Sequence, residues 1–307
     1  MRADIVRVEG APSPTLVLPG DGLPRGALAL GKELLGVRRW LDSTGRAQIQ
    51  KIALHQPSPH PGFDLEYRFV QRLPDGFNFR SGCGHSLLAC VVAARLPGPV
   101  RVRALTTGDT VVCEPDPHGG HIVRFTGPWP AAGLLPTGLP LQRLGGLDVS
   151  LVRFGNPCVF VDAAALGVHS AAELFAAGIE LLLPLLRIRA TAARLLGCAP
   201  RSGLPRIAVI GADPSGLLFA RGITVNGWHP SLALTGAACV AAAAAIPGTV
   251  PHRLAQGPAL SIATPGGTAH VSAAVDGPCL GSVAVHGKRA YVLERAVPMP
   301  WRIRVTA

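Results

Sequence analysis

Aromatic residues, clusters of charge and long apolar runs are all scarce in this chain of 307 residues. Phe, Trp and Tyr make up 5% of it, so few side chains can stack on nucleic-acid bases. The formal net charge is +11, but the basic residues are scattered, and we expect no nucleic-acid partner. The apolar stretch around residues 174–186 contains Glu180 and Pro184 and is too short for a bilayer, so no membrane partner is expected.

Patterns typical of metal sites and disulfides are lacking as well. The seven cysteines are an odd number, without CxxC pairs or Cys/His metal spacing. No cleavable signal peptide is recognisable at the N-terminus, so we expect a reducing, cytoplasmic location. No metal ion is predicted.

The chain does contain an internal repeat. The segment Ala89–Gly98 recurs, with one residue inserted, as Ala238–Gly248. Cys90 and Cys239 occupy matching places 239 − 90 = 149 residues apart, about half the chain. Self-similarity at half-length indicates two copies of one supersecondary unit. Because hydrophobic residues make up 48% and charged residues 15%, both copies are expected to be folded.

Each copy is a run of small apolar residues that follows a glycine-containing turn and ends at Pro-Gly, a pattern typical of a buried helix. Amphipathic helices are predicted at Gly31–Leu41 and Ala171–Leu196, the second interrupted near Pro184. Short strands are predicted at Leu16–Leu18, Ile49–Leu54, Leu65–Val70, Val100–Leu105, Val111–Glu114, Val149–Phe154, Val159–Asp162, Arg206–Ile210, Ser261–Ala263, His270–Ala274 and Ser282–Val285.

These elements predict an α+β fold of two pseudo-symmetric domains, each a β-layer or barrel wrapped around a central helix. We place the domains at residues 1–145 and 146–307, and the last strand is expected to return to the first domain. The active site is expected in the cleft between them.

Cys83 stands at the start of the first repeat helix, between Gly82 and Gly84. A helix N-terminus attracts carboxylates and favours the thiolate form of a cysteine, so Cys83 is a candidate catalytic thiol. The alternative is a small core residue, which is how buried free cysteines usually serve. The other six cysteines are interpreted as packing residues. His85, two residues on, is compatible with helix capping or with substrate binding.

Several segments resemble segments of one enzyme family and follow one another in the same order as in that family. Ser81–His85 is similar to the Cys-Gly-Asn or Cys-Gly-His loop of diaminopimelate epimerases, proline racemases and methylaconitate isomerases. Gln50–Leu54 resembles the Thr-Ser-Lys-Val-Ala segment of the methylaconitate cis-trans isomerase (PrpF-like) branch. Further matches to that branch are Leu134–Gly138, Asn156–Val161, Ala220–His229, Thr235–Thr249 and Pro265–Gly267. The resemblance covers nearly the whole chain.

The resemblance implies an isomerase that needs no cofactor. Its substrate is expected to be a small carboxylate, and the reaction moves a proton on a carbon beside the carboxylate group. Lys51 and Cys83 match the positions of the family's catalytic residues in these segments and are the catalytic acid–base candidates that the resemblance implies. Without the resemblance, Lys51 equally suits a strand residue that reaches the surface. The implied substrate-binding candidates are Gly84, His85, Ser86, Asn156, Arg221, His229, Thr235 and Gly236. The chain is expected to act as a monomer or a homodimer.

Two departures from the family pattern narrow the reaction. Ala233 falls where epimerases carry a second catalytic cysteine, which favours an allylic (1,3) proton shift over two-thiol racemisation. Glu9–Pro14 replaces a segment that carries two cationic groups, which indicates fewer substrate carboxylates. We therefore expect double-bond isomerisation of a small unsaturated carboxylate, for example in a specialised-metabolite pathway such as alkylproline biosynthesis in antibiotic producers. The alternatives are an amino-acid racemase or epimerase and a non-catalytic protein that binds a small acid.

Overall fold

The computed structural model describes residues 1–199, 203–224 and 227–299, which form helices and strands in the following order. The first elements are β1 (Arg2–Val8), β2 (Thr15–Pro19), α1 (Ala27–Ser43), β3 (Lys51–Pro57), β4 (Leu65–Leu73), β5 (Gly76–Asn78), α2 (Gly84–Ala94), β6 (Val100–Ala104) and β7 (Thr110–Pro115). They are followed by β8 (His121–Pro130), β9 (Gln142–Leu144), β10 (Leu147–Phe154), β11 (Asn156–Asp162), α3 (Ala171–Ala176), α4 (Ile179–Leu195), β12 (Arg206–Ala212), β13 (Leu218–Thr224) and β14 (Gly227–Trp228). The last are α5 (Leu234–Ala244), α6 (Val250–Leu254), β15 (Ala259–Thr264), β16 (Gly267–Asp276), β17 (Cys279–Lys288) and β18 (Ala290–Pro298), and short 3-10 turns lie at Ala131–Leu134 and Ala164–Leu166.

The chain divides into two compact units. Among the described residues, the first comprises residues 1–121 and 288–299, and the second comprises those between residues 122 and 287. The expected boundary between residues 145 and 146 lies inside the second unit, because β8 pairs with β17 and so belongs to that unit for nearly all its length. Residues 300–307 of the expected second domain lie outside the described residues.

Both units follow the same order of strand pairing. In the first, β1 and β2 are antiparallel, β2 and β3 parallel, β3 and β4 antiparallel, β4 and β6 parallel, and β6 and β7 antiparallel. The strands β10, β11, β12, β13, β15 and β16 repeat this alternation in the second. Parallel neighbours need a crossover connection, which α1 and α2 supply in the first unit and α3 to α6 in the second. The predicted α+β fold of two similar halves is confirmed.

The two repeat helices are buried on all sides for most of their length. Residues 84–91 of α2 are all buried, as are residues 237–243 of α5. α2 contacts β1, β2, β3, β4 and β18, and α5 contacts β10, β11 and β16. A helix that is surrounded in this way has no solvent face, which explains the continuous apolar composition of both segments.

The strands of the first unit present different side chains on their two faces. Leu16, Ile52 and Val70 belong to a core cluster shared with α1. Side chains alternate along a strand, so Thr15 and Lys51, each next to one of these residues, lie on the opposite face. The Thr15 side chain contacts a residue of α2, which shows that this face carries the central helix.

The structure differs from the sequence-based prediction in one helical segment and in several strands. The long helical segment breaks between α3 and α4, at Ala177 and Gly178, and Pro184 lies inside α4. The helix is interrupted at Gly178, because the N–H group of Gly178 donates to the carboxylate of Glu180 at 2.6 Å. Strands β1, β5, β8, β9, β13, β14 and β18 were not predicted. No helix in the described ranges is long and apolar enough to cross a membrane.

Candidate active site

Cys83 is the N-cap residue of α2, with extended backbone angles of φ −144° and ψ 105°. Its carbonyl oxygen accepts the N–H of Leu87, which is the first hydrogen bond of the helix, at 3.0 Å. Gly84 and Ser86 follow in the first turn, where an N–H group has no preceding helical carbonyl to bond to. The first turn carries no acidic residue. This end of α2 therefore offers N–H groups and partial positive charge beside a thiol.

The Cys83 thiol lies at the end of a chain of hydroxyl groups. Ser86 Oγ donates to Cys83 Sγ at 3.4 Å, and Thr15 Oγ1 lies 3.0 Å from Ser86 Oγ. Thr15 is 2% exposed and Ser86 is fully buried, so no solvent competes strongly for these hydroxyls. When Ser86 donates to the sulfur, Thr15 donates to Ser86, and the chain delivers hydrogen-bond donors toward Cys83.

Lys51 lies beside the first member of this chain. The register of the parallel pair β2 and β3 places Thr15 and Lys51 directly opposite each other. Both are on the α2 face of their strands, and Lys51 is only 6% exposed. The structure thus brings Lys51, Cys83 and Ser86 to one region of the first unit, around the start of α2. Lys51 is not the surface-seeking lysine that the alternating pattern also allowed.

Tyr67 supports the Cys83 backbone. Its hydroxyl donates to the Cys83 carbonyl oxygen at 2.9 Å. Burial, with a further contribution from Cys83, raises the pKa of Tyr67 well above its ordinary value, so the phenol stays protonated and remains a donor. Together with the Leu87 N–H, it gives the N-cap carbonyl two donors. This arrangement holds the Cys83 backbone in one position.

Cys83 also differs from most other cysteines in exposure. It is partly exposed, as are Cys198 and Cys279, whereas the remaining four cysteines are buried. Burial raises the pKa of Cys90 well above the usual thiol value and that of Cys113 to about 12. These two thiols are therefore unreactive packing groups at neutral pH. His85, in the first turn of α2, is 2% exposed, and its role in binding stays a prediction.

The start of α5 repeats the arrangement at α2 without the thiol. Ala233 is the N-cap residue of α5, and its carbonyl accepts the N–H of Ala237 at 2.8 Å. Thr235 and Gly236 occupy the first turn and are partly exposed. An added Cβ on Gly236 would meet Leu232 at an ordinary contact distance of 3.5 Å, so protein packing alone does not demand glycine there.

The segment that precedes α5 is fixed by side-chain contacts. The Ser231 N–H donates to His229 Nδ1 at 3.0 Å, and the Ser231 and Thr264 hydroxyls lie 3.0 Å apart. A Cβ on Gly266 would lie 2.7 Å from the carbonyl oxygen of Pro230, so only glycine lets the turn between β15 and β16 approach this closely. Because His229 Nδ1 accepts a hydrogen bond, the neutral ring carries its proton on Nε2.

Arg221 has structural contacts in the second unit. Its Nη1 donates to the carbonyl oxygens of Leu174 and Ala177, at 2.9 and 2.8 Å, at the end of α3. The guanidinium also lies over the ring of Trp228, 4.3 Å from its centroid. These contacts hold the junction between α3 and α4, a function that the sequence analysis did not assign to Arg221.

The predicted residues fall into two groups, one in each unit. Lys51, Cys83, Gly84, His85 and Ser86 lie in the first unit, and Asn156, Arg221, His229, Thr235 and Gly236 lie in the second. Asn156 begins β11 and is 5% exposed. Sequence reasoning missed Thr15 and Tyr67. Their contacts with α2 depend on strand register and helix placement, which no local motif reveals.

Residues 130–285, more than half of the chain, match the model of the PrpF protein family. The chain belongs to the PrpF family. It is 26% identical to the (4E)-oxalomesaconate Δ-isomerase of Novosphingobium sp. (strain KA1) over 272 residues, which cover 76% of each protein. It is 24% identical to the 3-methylitaconate isomerase of Eubacterium barkeri over 321 residues, which cover 83% of this chain and 84% of the relative.

Solved structures of other proteins have the same fold as this chain. A methylitaconate Δ-isomerase crystal structure matches with a TM-score of 0.70 and 21% identity, covering 96% of this chain and 94% of the other. A probable proline racemase from Agrobacterium radiobacter matches with a TM-score of 0.61 and 14% identity, covering 97% and 92%. The fold is therefore that of the diaminopimelate-epimerase-like proteins, as predicted.

Proposed function

We propose that this isomerase of the PrpF family catalyses an allylic proton shift on a small unsaturated carboxylate, with Cys83 and Lys51 as its acid–base pair. The observation that carries the proposal is the hydroxyl chain from Thr15 through Ser86 to Cys83. It ends at the partly exposed thiol, and it begins beside Lys51 on the neighbouring strand. A packing cysteine has no need of such a chain.

The reaction consists of two proton transfers. A base removes a proton from the sp³ carbon of the allylic unit, and the C–H electron pair moves into a dienolate that extends onto the carboxylate. An acid then protonates the other end of the allylic unit, and the double bond moves by one position. One proton leaves and one arrives, so no oxidant, reductant or co-substrate is consumed. Cys83 and Lys51 share the two steps.

The charge that develops on the carboxylate requires donors that are already in place. The N–H groups of Gly84 and Ser86 at the start of α2 are suited to this, because a helix N-terminus stabilises negative charge. Thr235 and Gly236 stand second and third in α5, as His85 and Ser86 do in α2, and are proposed to bind a carboxylate as well. His85, Asn156 and His229 are proposed as further substrate-binding residues, whereas the contacts of Arg221 are better explained by support of α3.

The substrate is proposed to carry one or two carboxylates. The residues of Glu9–Pro14 lie directly before Thr15, the first residue of the hydroxyl chain. In this segment an acid and a proline stand where the family resemblance predicts cationic groups. A third carboxylate would therefore meet no cation from this side. A narrower proposal is a specialised-metabolite substrate, such as an unsaturated intermediate of alkylproline biosynthesis in an antibiotic pathway.

A one-thiol site is also the reason to favour isomerisation over racemisation. Two-base racemases remove a proton on one side of a carbon and deliver one on the other. Ala233, which stands at the N-cap place of α5 as Cys83 does at that of α2, supplies no acid or base. An allylic shift needs only the groups that the first unit already provides.

The experiment is incubation with a panel of unsaturated mono-, di- and tricarboxylates in deuterated water, followed by NMR. The panel includes unsaturated prolines. Wild type is compared with Cys83→Ser and Lys51→Ala, and with Cys279→Ser as a control, because Cys279 is another partly exposed thiol. We expect deuterium incorporation and double-bond migration in wild type and the control, and loss of migration in the other two variants.

The same spectra separate the two roles. If Cys83 is the base, Lys51→Ala still exchanges deuterium at the original carbon but does not move the double bond, whereas Cys83→Ser loses both. The reverse pattern makes Lys51 the base. Binding of a panel member without exchange in any variant would overturn the catalytic proposal and leave a protein that binds a small acid. Deuterium exchange with inversion at one carbon would indicate a racemase.

A further inference from the structure

The first unit contains a cavity of about 1010 Å³ that is not lined by the residues of the candidate active site. It is bounded by the residues that lead into α1 and by the adjoining ends of β3, β4 and β6. We call it the arginine cavity after four of its lining residues, Arg25, Arg68, Arg80 and Arg103. Its volume is at the upper end of the range for sites that hold small molecules.

The arginine cavity is separate from the candidate active site. Its lining includes Leu54 and Arg68, which are cross-strand neighbours, and Leu54 belongs to the core cluster on the α1 face of the strands. Lys51 lies on the opposite face, which carries α2. The residues that line the cavity include neither Lys51 nor Cys83. A ligand in this cavity would therefore not be the substrate bound at the start of α2.

Most of the positive charge in the cavity lacks a carboxylate partner. Arg103 pairs with Glu66 at 3.4 Å, and Glu66 also accepts Gln56 Nε2 at 3.0 Å. Arg68 donates to the backbone carbonyl of Arg25 and lies over a phenylalanine ring, and it has no carboxylate partner in the described part of the chain. The side chains of Arg25 and Arg80 make no hydrogen bond or ion pair within the described ranges.

Burial adds to this imbalance. Desolvation lowers the pKa of Arg68, which means that the surroundings disfavour its charge. A partly desolvated cation without a counter-ion gains from an anion that enters the cavity. The two carboxylates in the lining do not meet this need, because Glu66 is engaged by Arg103 and Gln56, and Asp21 is exposed to solvent.

The start of α1 adjoins the cavity wall. The lining includes Gly20 to Arg25, and the next residue, Gly26, is the N-cap of this 17-residue helix. Gly26 offers no side-chain cap, and the first turn contains no acidic residue. The positive end of α1 is thus uncompensated by side chains and adds to the charge of the arginines.

We propose that the arginine cavity binds a small molecule through a phosphate group. A phosphate accepts hydrogen bonds on three oxygens and carries up to two charges, so it can engage several guanidinium groups together. A carboxylate has two oxygens and pairs well with one guanidinium group. Three guanidinium groups of the cavity lack a carboxylate partner, so a phosphate suits them better. The remaining volume of the cavity accommodates the organic part of the molecule.

The test is titration of the purified protein with inorganic phosphate and with glycerol 3-phosphate at constant ionic strength, followed by calorimetry and ³¹P NMR. Arg25→Gln and Arg80→Gln remove exposed side chains without partners, so both variants are expected to fold. The control is Arg101→Gln, which removes the same charge from strand β6 outside the cavity. We expect saturable binding that weakens at least tenfold in each cavity variant and is unchanged in the control.

Three results would overturn the proposal. The first is the absence of saturable binding of either phosphate. The second is equal weakening in Arg101→Gln, which would show that only the overall positive charge matters. The third is tighter binding of citrate than of glycerol 3-phosphate, which would assign the cavity to carboxylates. None of these outcomes depends on isomerase activity.

Discussion

Replacing Thr15 with valine should slow the chemistry of Cys83 while leaving the fold intact. The two side chains have nearly the same shape, and valine suits a buried strand position. The change removes only the hydroxyl that lies 3.0 Å from Ser86 Oγ. Ser86 can still donate to Cys83 Sγ, but it no longer accepts a hydrogen bond from Thr15.

The size of the effect follows from the loss of one buried hydrogen bond. A neutral bond of this kind contributes about 0.5–1.5 kcal/mol, which corresponds to a factor of about two to twelve in a rate or an equilibrium. We expect Cys83 to be alkylated by iodoacetamide about three- to tenfold more slowly at neutral pH, because the thiolate is the reacting form and loses part of its support. The free energy of unfolding should fall by about 1 kcal/mol.

The assay follows Cys83 modification by mass spectrometry and needs no substrate. Thr15→Ser is the matched control, because it keeps the hydroxyl and removes a buried methyl group. It should retain the alkylation rate and lose about 0.5–1.5 kcal/mol of stability. An unchanged alkylation rate in the valine variant, or equal slowing in both variants, would refute the role of the hydroxyl chain.

Three further predictions concern other parts of the structure. Gly236→Ala should raise the free energy of unfolding by about 0.5–1 kcal/mol in urea titrations, because its Cβ has room, but should lower the rate of deuterium exchange; unchanged exchange would argue against a ligand near Gly236. Arg221→Ala should destabilise the fold by about 1–3 kcal/mol without weakening substrate binding, since it removes two hydrogen bonds to α3; weaker binding at unchanged stability would restore its role at the site. Burial lowers the pKa of His55, so the unfolded chain takes up a proton first as the pH falls below about 6.5, and stability declines there. His55→Gln should reduce this decline in urea titrations between about pH 7.5 and about pH 5.5, and an equal decline in both proteins would contradict it.

The sequence was informative wherever a pattern is local. A run of small apolar residues between a glycine turn and Pro-Gly predicts a buried helix, and both repeat helices are found there. The predicted strands lie within or overlap observed ones, because alternation of side chains and turn residues mark them. Strand β13 was missed because Gly222 lies inside it, and β8 because it contains Gly127 and Pro128.

The break of the long helical segment shows the limit of a local rule. Pro184 was expected to interrupt the helix, yet it lies in the early part of α4. The actual break is at Gly178, where Glu180 accepts the backbone N–H and Arg221 binds the last carbonyl oxygens of α3. Arg221 is more than forty residues away along the chain, and no window of sequence reveals that it will cap this end.

The type of fold, the two-fold repeat and the place of Cys83 at a helix start could be predicted from the chain, because they depend on composition and short-range periodicity. The side chains that surround that thiol could not, because they come from distant segments. The parallel register of β2 and β3 sets Thr15 beside Lys51, and the packing of α2 on the same face brings Ser86 to Thr15. Strand register and helix packing result from the burial of many distant residues together, so they are a property of the whole unit and not of any segment.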